Sequence, residues 1–238
     1  MNNLKNINNE LYIGKYKLSD LGKEYGTPSY IFDEKHLEDV MSFYKNTFKS
    51  NNFKTSVVYA SKAFLVPAIC TLLDKHGLMM DAMSTTDMEV AKFANYDLSN
   101  IVFHGNNKSN SELEYALNNN VGYIVVDNLD ELKRLVKLSE VYQKEVKTLF
   151  RINPLVDAHT HKYIQTALNA SKFGENINDG NIIDLIIKTY QESKYVKLLG
   201  FHAHIGSQIK EVEPFLLLVE KLDQADVLCH TVIVAECN

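Results

Sequence analysis

The sequence contains few cysteines, prolines and glycines and no tryptophan. Its 238 residues include three cysteines, four prolines and ten glycines. The cysteines (Cys70, Cys229 and Cys237) are odd in number and lack CxxC spacing, so the sequence predicts neither a disulfide framework nor a zinc ribbon, and a reducing cytoplasm fits best. With so little proline and glycine, no linker divides the chain, and we expect one continuous domain.

The sequence also lacks a long apolar run and an excess of positive charge. No stretch reaches the roughly 18 apolar residues of a membrane span, and the opening MNNLKNINNE has no apolar signal-peptide core. Lys and Arg total 25 against 30 Asp and Glu, which argues against nucleic-acid and anionic-membrane partners and favours a small-molecule partner. A hydrophobic content of 45% excludes global disorder.

Strand-like runs alternate with amphipathic helical stretches along the chain, which is typical of parallel α/β structure. Helix starts are predicted at the capping sequences of residues 109–112 and 127–130. No GxGxxG or GxxxxGK[ST] turn is present, which disfavours a doubly wound sheet and favours a β/α barrel. Seven strands are predicted at residues 56–60, 78–83, 101–104, 123–126, 148–152, 198–204 and 231–235, preceded by strand candidates at residues 11–18 and 29–32.

Unusual polar residues follow the predicted strands. Barrel enzymes place their chemistry at the carboxyl ends of the strands, so these residues are the candidate site. They are Lys62, Asp81, Ser84, the segment from His104 to Lys108, Arg151, Asn153 and the segment from His202 to Gln208.

Lys62 lies two residues beyond the apolar run that ends at Ala60. Strand alternation would place Val58, Ala60 and Lys62 on one face. If that face is the barrel interior, burial lowers the pKa of the ammonium, and the amine can form an imine with an aldehyde such as pyridoxal. The alternative is a surface lysine at the end of a strand.

The segment from His202 to Ser207 combines two imidazoles, a small-residue turn and a hydroxyl. Such a strand end can offer an imidazole face to an aromatic ring and N–H and O–H donors to a phosphate. Two histidines two residues apart could also ligate zinc with His104 or with His159 and His161, but no HExxH spacing supports this, and no metal is predicted.

Several sequence strings occur in order along the chain: YGTP at residues 25–28, YASKA at 59–63, FHGNNKS at 103–109, HKYIQT at 161–166, SKFG at 171–174 and HAHIGSQ at 202–208. Together they resemble the alanine-racemase-fold pyridoxal-phosphate decarboxylases, and the resemblance runs from about residue 11 to residue 215. Within that family, HGNNKS and the segment from His161 to Gly174 resemble the diaminopimelate decarboxylases more than the ornithine decarboxylases.

The resemblance implies a role for several residues. Lys62 matches the lysine that binds the cofactor, and His204 matches the imidazole that stacks on its ring. Gly206 and Ser207 match the phosphate turn, and Arg151 matches the arginine near the phenolic oxygen. Asp81 and Ser84 match a polar strand end that the wider family also has, and Asp81 is assigned to the cofactor site. Asn106, Lys108, Lys172 and Phe173 either shape the pocket or belong to loops.

The implied reaction is the decarboxylation of meso-diaminopimelate to L-lysine and carbon dioxide, with pyridoxal 5'-phosphate as cofactor. Members of the family are usually dimers, so the resemblance also implies a homodimer. Two alternatives stay open: a non-catalytic protein that binds pyridoxal phosphate, and a relative of the ornithine and arginine decarboxylases, favoured by the stretch Asp81-Ala-Met-Ser-Thr-Thr.

The sequence departs from the family pattern in three places. Residues 81–87 lack the two glycines of the family's loop, which predicts a strained or rearranged turn, and Ala167 stands where glycine is usual. The sequence also stops at Asn238, before the family's triple-glycine loop, eighth strand, Glu-Pro-Gly-Arg segment and β-rich second domain. We therefore expect a truncated chain of doubtful activity. Its N-terminal segment covers residues 1–27, whose strand joins the second domain in the family and would here have no sheet to join, and an incomplete barrel of about seven strands covers residues 28–238.

Overall fold

The computed structural model describes residues 3–156, 173–176, 179–206, 209, 211–224 and 232–234. The chain divides into two compact units, one of residues 1–57 with 75–78 and the other of residues 58–74 with 79–238. The predicted division between residues 27 and 28 stays a prediction.

The first unit begins with a small antiparallel sheet. Strands β1 (Leu4–Ile7), β2 (Glu10–Ile13) and β3 (Tyr16–Lys17) pair in sequence order, and helices α1 (Leu18–Tyr25) and α2 (Glu34–Thr47) follow. The candidate strand at residues 11–18 is thus two strands joined by a turn at Gly14, where φ is +57°. It also pairs within a sheet of its own, whereas the sequence led us to expect a strand with no sheet to join.

The predicted strand at residues 29–32 is wrong. These residues are all described and form no strand, and Tyr30 is 96% exposed. Aromatic and β-branched residues favour strands because they fit a pleated, half-buried surface. This segment has no such surface, so its propensity has no structural effect.

The second unit is built on a parallel sheet of seven strands in the order β4-β5-β6-β7-β8-β10-β11, with β9 paired to β8. Each of the seven predicted runs overlaps one of these strands, which confirms the α/β class and the prediction of a β/α barrel. The strands are β4 (Val58–Tyr59), β5 (Met79–Ala82), β6 (Ile101–Phe103), β7 (Tyr123–Val126), β8 (Val146–Asn153), β9 (Glu175–Asn176), β10 (Val196–Ala203) and β11 (Val232–Val234).

Helices separate the strands. Among the described residues these are α3 (Pro67–His76), α4 (Thr85–Phe93), α5 (Asn110–Asn118), α6 (Leu129–Tyr142), α7 (Gly180–Glu192) and α8 (Glu213–Gln224). Both predicted helix starts are confirmed: Ser109 and Glu112 form a reciprocal capping box at α5, and the Asn128 side chain accepts the Glu131 N–H at α6.

The turn before α4 is not strained, so of the two outcomes expected from its missing glycines, strain and rearrangement, only the second is left. None of residues 81–87, all of which are described, has a positive φ. Ser84 instead caps α4 in a capping box with Asp87, so this turn is rearranged into an ordinary helix start that needs no glycine.

An apolar layer lines one face of the parallel sheet. Val102, Val125 and Leu149 are almost completely buried and pack together, with Val58 and Met79 against them. Side chains of a strand alternate between its two faces. The residues two positions further along these strands therefore lie on the same face, one step nearer the carboxyl ends.

Candidate functional site

A polar layer lies directly beyond the apolar one. It consists of five polar residues at the carboxyl ends of five neighbouring strands. Four of them come two positions after a residue of the apolar layer, and the fifth comes two positions after Gly200. Register confirms the neighbours, since Val125 pairs with Leu149 and Arg151 pairs with His202. The polar residues are Asp81, His104, Asp127, Arg151 and His202.

The contact between His104 and His202 shows that the polar layer lies on a concave face. Their ring centroids are 4.8 Å apart, at an interplanar angle of 77°. Strands β6 and β10 are three places apart in the sheet, which on a flat sheet would separate them by about 14 Å. The sheet must therefore curve so that both rings project into its hollow, as in a barrel.

Lys62 does not continue its strand. β4 ends at Tyr59, and Lys62 lies in a one-turn 3-10 helix, Ser61–Ala63, with an exposed side chain. The alternation that would place Lys62 on the interior face therefore does not apply, and of the two interpretations drawn from the sequence, the exposed side chain fits a surface lysine at the end of a strand. Its charge still lies near the polar layer, because it contributes to lowering the pKa of His104.

Asp81 holds the turn that carries Lys62. Its carboxylate is buried and accepts the Ser61 backbone N–H at 2.6 Å. A buried N–H without an acceptor is costly. Asp81 therefore fixes the backbone next to Lys62, which gives it a positioning role that the motif alone did not specify.

We expect Asp81→Ala to destabilise the chain by about 2 kcal/mol, because the buried Ser61 N–H loses its acceptor. Asp81→Asn keeps one carbonyl oxygen at the same place and should cost less than half as much. Urea unfolding followed by circular dichroism measures both values. Equal losses in the two variants would contradict the role of this hydrogen bond.

Arg151 is held by a carboxylate from the neighbouring strand end. Its Nη1 donates to Asp127 Oδ1 at 2.9 Å, and its guanidinium lies 5.0 Å from the Phe173 ring centroid. The sequence identified Arg151 but treated Asp127 only as part of a helix start. The signal that could have identified Asp127 is strand alternation. Asp127 comes two positions after Val125 of β7, and Arg151 comes two positions after Leu149 of β8, so both side chains lie on the same face of the sheet.

His104 and His202 are uncharged at neutral pH. Burial, together with the nearby charges of Lys108 and Arg151, lowers the pKa of His104 to about 3. Burial, and then neighbours that include His104, Arg151 and His204, also holds the pKa of His202 well below its usual value. The polar layer therefore combines neutral imidazoles with the Arg151 cation and the Asp127 carboxylate.

His204 lies one residue beyond β10 and is half-buried. Gly206 follows with φ at +135°, a conformation that favours glycine. Ser207, His159, His161 and Lys172 lie outside the described residues, as do the rest of the HKYIQT string and Ala167. The structure therefore places Gly206 of the predicted phosphate turn but not its serine.

Lys108 is part of a buried ion pair rather than of the pocket wall. Its Nζ lies 2.8 Å from Glu131 Oε1 and donates to the carbonyl oxygens of Gly105 and Val125 at 2.6 and 2.7 Å. The Lys108 and Glu131 side chains are 1% and 0% exposed. Glu131 was missed by sequence reasoning, although a carboxylate among the buried leucines of α6 signals a buried partner.

Over the ranges that the structure describes, no group of three or more His, Cys, Asp or Glu side chains could hold a metal ion. The same residues include no helix long and apolar enough to cross a membrane.

The fold and the site define the class of protein. A parallel β/α barrel with a lysine, an arginine and histidines at the carboxyl ends of its strands is suited to a phosphorylated aromatic aldehyde, and residues 35–232 match the family described as pyridoxal-dependent decarboxylase, pyridoxal binding domain. The chain belongs to this family. The pyridoxal phosphate cofactor predicted from the sequence is confirmed at the level of the family.

The similar proteins are diaminopimelate decarboxylases. The chain is 39% identical to that of Staphylococcus aureus over 212 residues, 89% of this chain and 49% of the relative, and 38% identical to that of Bacillus subtilis over 218 residues, 92% and 49%. A crystal structure of the M. jannaschii diaminopimelate decarboxylase with L-lysine superposes with a TM-score of 0.85 at 28% identity, covering 97% of this chain and 56% of that one. The chain thus spans about half the length of the curated relatives it matches.

Proposed function

We propose that this chain is a pyridoxal-phosphate-dependent decarboxylase that acts on meso-diaminopimelate and releases L-lysine and carbon dioxide. The observation that carries the proposal is the exposed amine of Lys62 at the rim of the concave polar layer, in a chain of the pyridoxal-binding family. An accessible primary amine is what an aldehyde cofactor needs for covalent attachment.

Each remaining residue has a role that its position supports. His204, which lies near His104 and His202, would stack on the ligand's ring, and Arg151 offers a cation that is already oriented by Asp127. Gly206, with Ser207, would hold the phosphate through backbone and hydroxyl donors. Asp81 keeps the Lys62 turn in place through the Ser61 N–H. When bound, pyridoxal phosphate supplies an aldehyde and a ring that accepts the electron pair left by departing carbon dioxide.

The uncharged histidines bear on how the chain holds this ligand. Since His104 and His202 stay neutral, Lys62 and Arg151 supply the positive charge that a ligand in the hollow can meet, because Lys108 is buried in its ion pair with Glu131. Positive charge is then concentrated at residues that can meet the phosphate and the phenolic oxygen. If both imidazoles were protonated, they would repel each other and Arg151.

We expect Lys62→Ala to abolish specific attachment of pyridoxal phosphate to the purified chain, because among the described residues no other exposed lysine contributes charge at His104 in the polar layer. Borohydride reduction followed by peptide mass mapping measures the attachment. Lys137→Ala, which removes an exposed lysine on α6, is the matched control and should leave the labelling of Lys62 unchanged. Labelling spread over many lysines of the wild-type chain would contradict the proposal.

Carbon dioxide release separates the proposed activity from its main alternative. The alternative is a non-catalytic protein that binds pyridoxal phosphate through the same residues. Release from carboxyl-labelled meso-diaminopimelate, and not from ornithine or arginine, would support the proposal. A Lys62 adduct without release from any of the three substrates would support the binding protein. The homodimer is a further prediction that sedimentation of the same sample tests.

A further inference from the structure

The contact between His104 and His202 has not yet been given a role, although both residues belong to the polar layer. The two rings meet edge to face across the hollow of the sheet, 4.8 Å apart. His202 is 1% exposed and neither ring nitrogen finds a hydrogen-bond partner among the described residues. Its position is therefore set by packing and by the contact with His104.

His104 differs from His202 in that it keeps partial solvent exposure. The three side chains proposed to meet the cofactor, Lys62, Arg151 and His204, are all near enough to act on the charge of His104. The His104 imidazole is partly exposed and lies near these residues, so it is placed to contact the ligand that they bind.

We infer that His104 is a further ligand-contacting residue of the site, which offers a neutral imidazole hydrogen bond to bound pyridoxal phosphate, and that His202 is a positioning residue that fixes the His104 ring by edge-to-face packing. This inference rests on the proposed function. A neutral imidazole has one donor and one acceptor nitrogen, so it can hydrogen-bond a polar atom of the ligand without adding charge. The low pKa of His104 keeps it in this form throughout the physiological range.

The test measures binding of pyridoxal phosphate to the 238-residue chain by absorbance, with thermal unfolding as a second readout. We expect His104→Phe, which keeps a flat ring but no nitrogen, to raise the dissociation constant about tenfold, the effect of one lost hydrogen bond. His104→Asn keeps a neutral donor and acceptor and should restore binding to within about threefold of wild type. His202→Ala removes the ring that packs against His104 and should weaken binding, whereas His202→Phe keeps an aromatic ring at that place and should restore it, which tests the positioning role of His202.

Nitrogen-15 NMR of the wild-type chain keeps the inference testable if a variant fails to fold. The His104 ring signals should show a neutral imidazole between pH 6 and 8 and should move when pyridoxal phosphate is added. Unmoved signals at saturation, or tight binding by a folded His104→Phe chain, would overturn the inference and leave the Lys62 adduct and the proposed function intact. Failure of the wild-type chain to bind pyridoxal phosphate would overturn both.

Discussion

Lys108→Met should destabilise the chain by about 3 to 5 kcal/mol at neutral pH, because it leaves the Glu131 carboxylate buried and without a counterion. Glu131 is 0% exposed, and Lys108 Nζ is 2.8 Å from its Oε1. The Nζ group also donates hydrogen bonds to the backbone oxygens of Gly105 and Val125, so the ammonium is held in place beside the carboxylate. Such a loss is a large fraction of the free energy of unfolding of a typical domain, about 5 to 15 kcal/mol.

Removing both charges should be milder than removing one. The double variant Lys108→Met with Glu131→Leu replaces the pair by apolar side chains of similar volume and should recover most of the loss. Urea unfolding of the wild-type chain, both single variants and the double variant, followed by circular dichroism because the chain has no tryptophan, gives the coupling energy. If the losses of the single variants simply add in the double variant, the pair is not coupled.

The loss in Lys108→Met should also depend on pH. Burial raises the pKa of Glu131, and the attraction of Lys108 opposes that rise. Without Lys108 the folded-state pKa rises further above the unfolded value, so the folded state binds the proton more tightly. The group's contribution to stability is then largest at low pH and is lost as the pH rises through the folded pKa. The variant should therefore lie closer to wild type at pH 5 than at pH 8.

Gly122→Ala should strongly destabilise the second unit. A Cβ at Gly122 would lie 2.0 Å from the Ser99 carbonyl oxygen and 2.7 Å from its carbon. Both are backbone atoms, and the Gly122 N–H also donates to the Leu98 oxygen, so the two turns have to separate. We expect a loss of about 3 kcal/mol, at the upper end for overpacking.

Gly180→Ala is the matched control for this variant. A Cβ at Gly180 meets no atom within 4 Å, and the residue begins α7. Alanine is favoured over glycine in a helix by up to about 1 kcal/mol, so this variant should be as stable as wild type or slightly more stable. Thermal unfolding of the two variants provides the comparison. A Gly122→Ala chain that melts with the wild type would contradict the close approach of the two turns.

Local features of the fold were predictable from sequence because their causes lie within a few residues. The seven runs of the parallel sheet follow from apolar composition, and the caps at Ser109 and Asn128 follow from side chains that bond three residues ahead. The same local reasoning was wrong where a partner was required. Residues 29–32 have strand propensity but no strand beside them, and β4 stops before Lys62.

The protein family and several candidate site residues could also be predicted from the sequence, because the strings around Lys62, His104 and His204 resemble those of the family. The environments of these residues could not be predicted in this way. Exposure of Lys62 depends on a 3-10 turn held by Asp81, twenty residues away, and Arg151 is oriented by Asp127, twenty-four residues away. Neither partner is specified by spacing, since pairing between strand ends depends on sheet order and register.

By itself the sequence determined the α/β rhythm, the helix caps and the residue types at the carboxyl ends of the strands, because periodicity and capping are short-range. The tertiary structure alone decided which of those residues meet. Curvature of the sheet brings His104 against His202 across two intervening strands, and packing of α6 on the sheet buries Glu131 beside Lys108. Contacts of this kind depend on how strands and helices are arranged in space, which residue spacing along the chain does not encode.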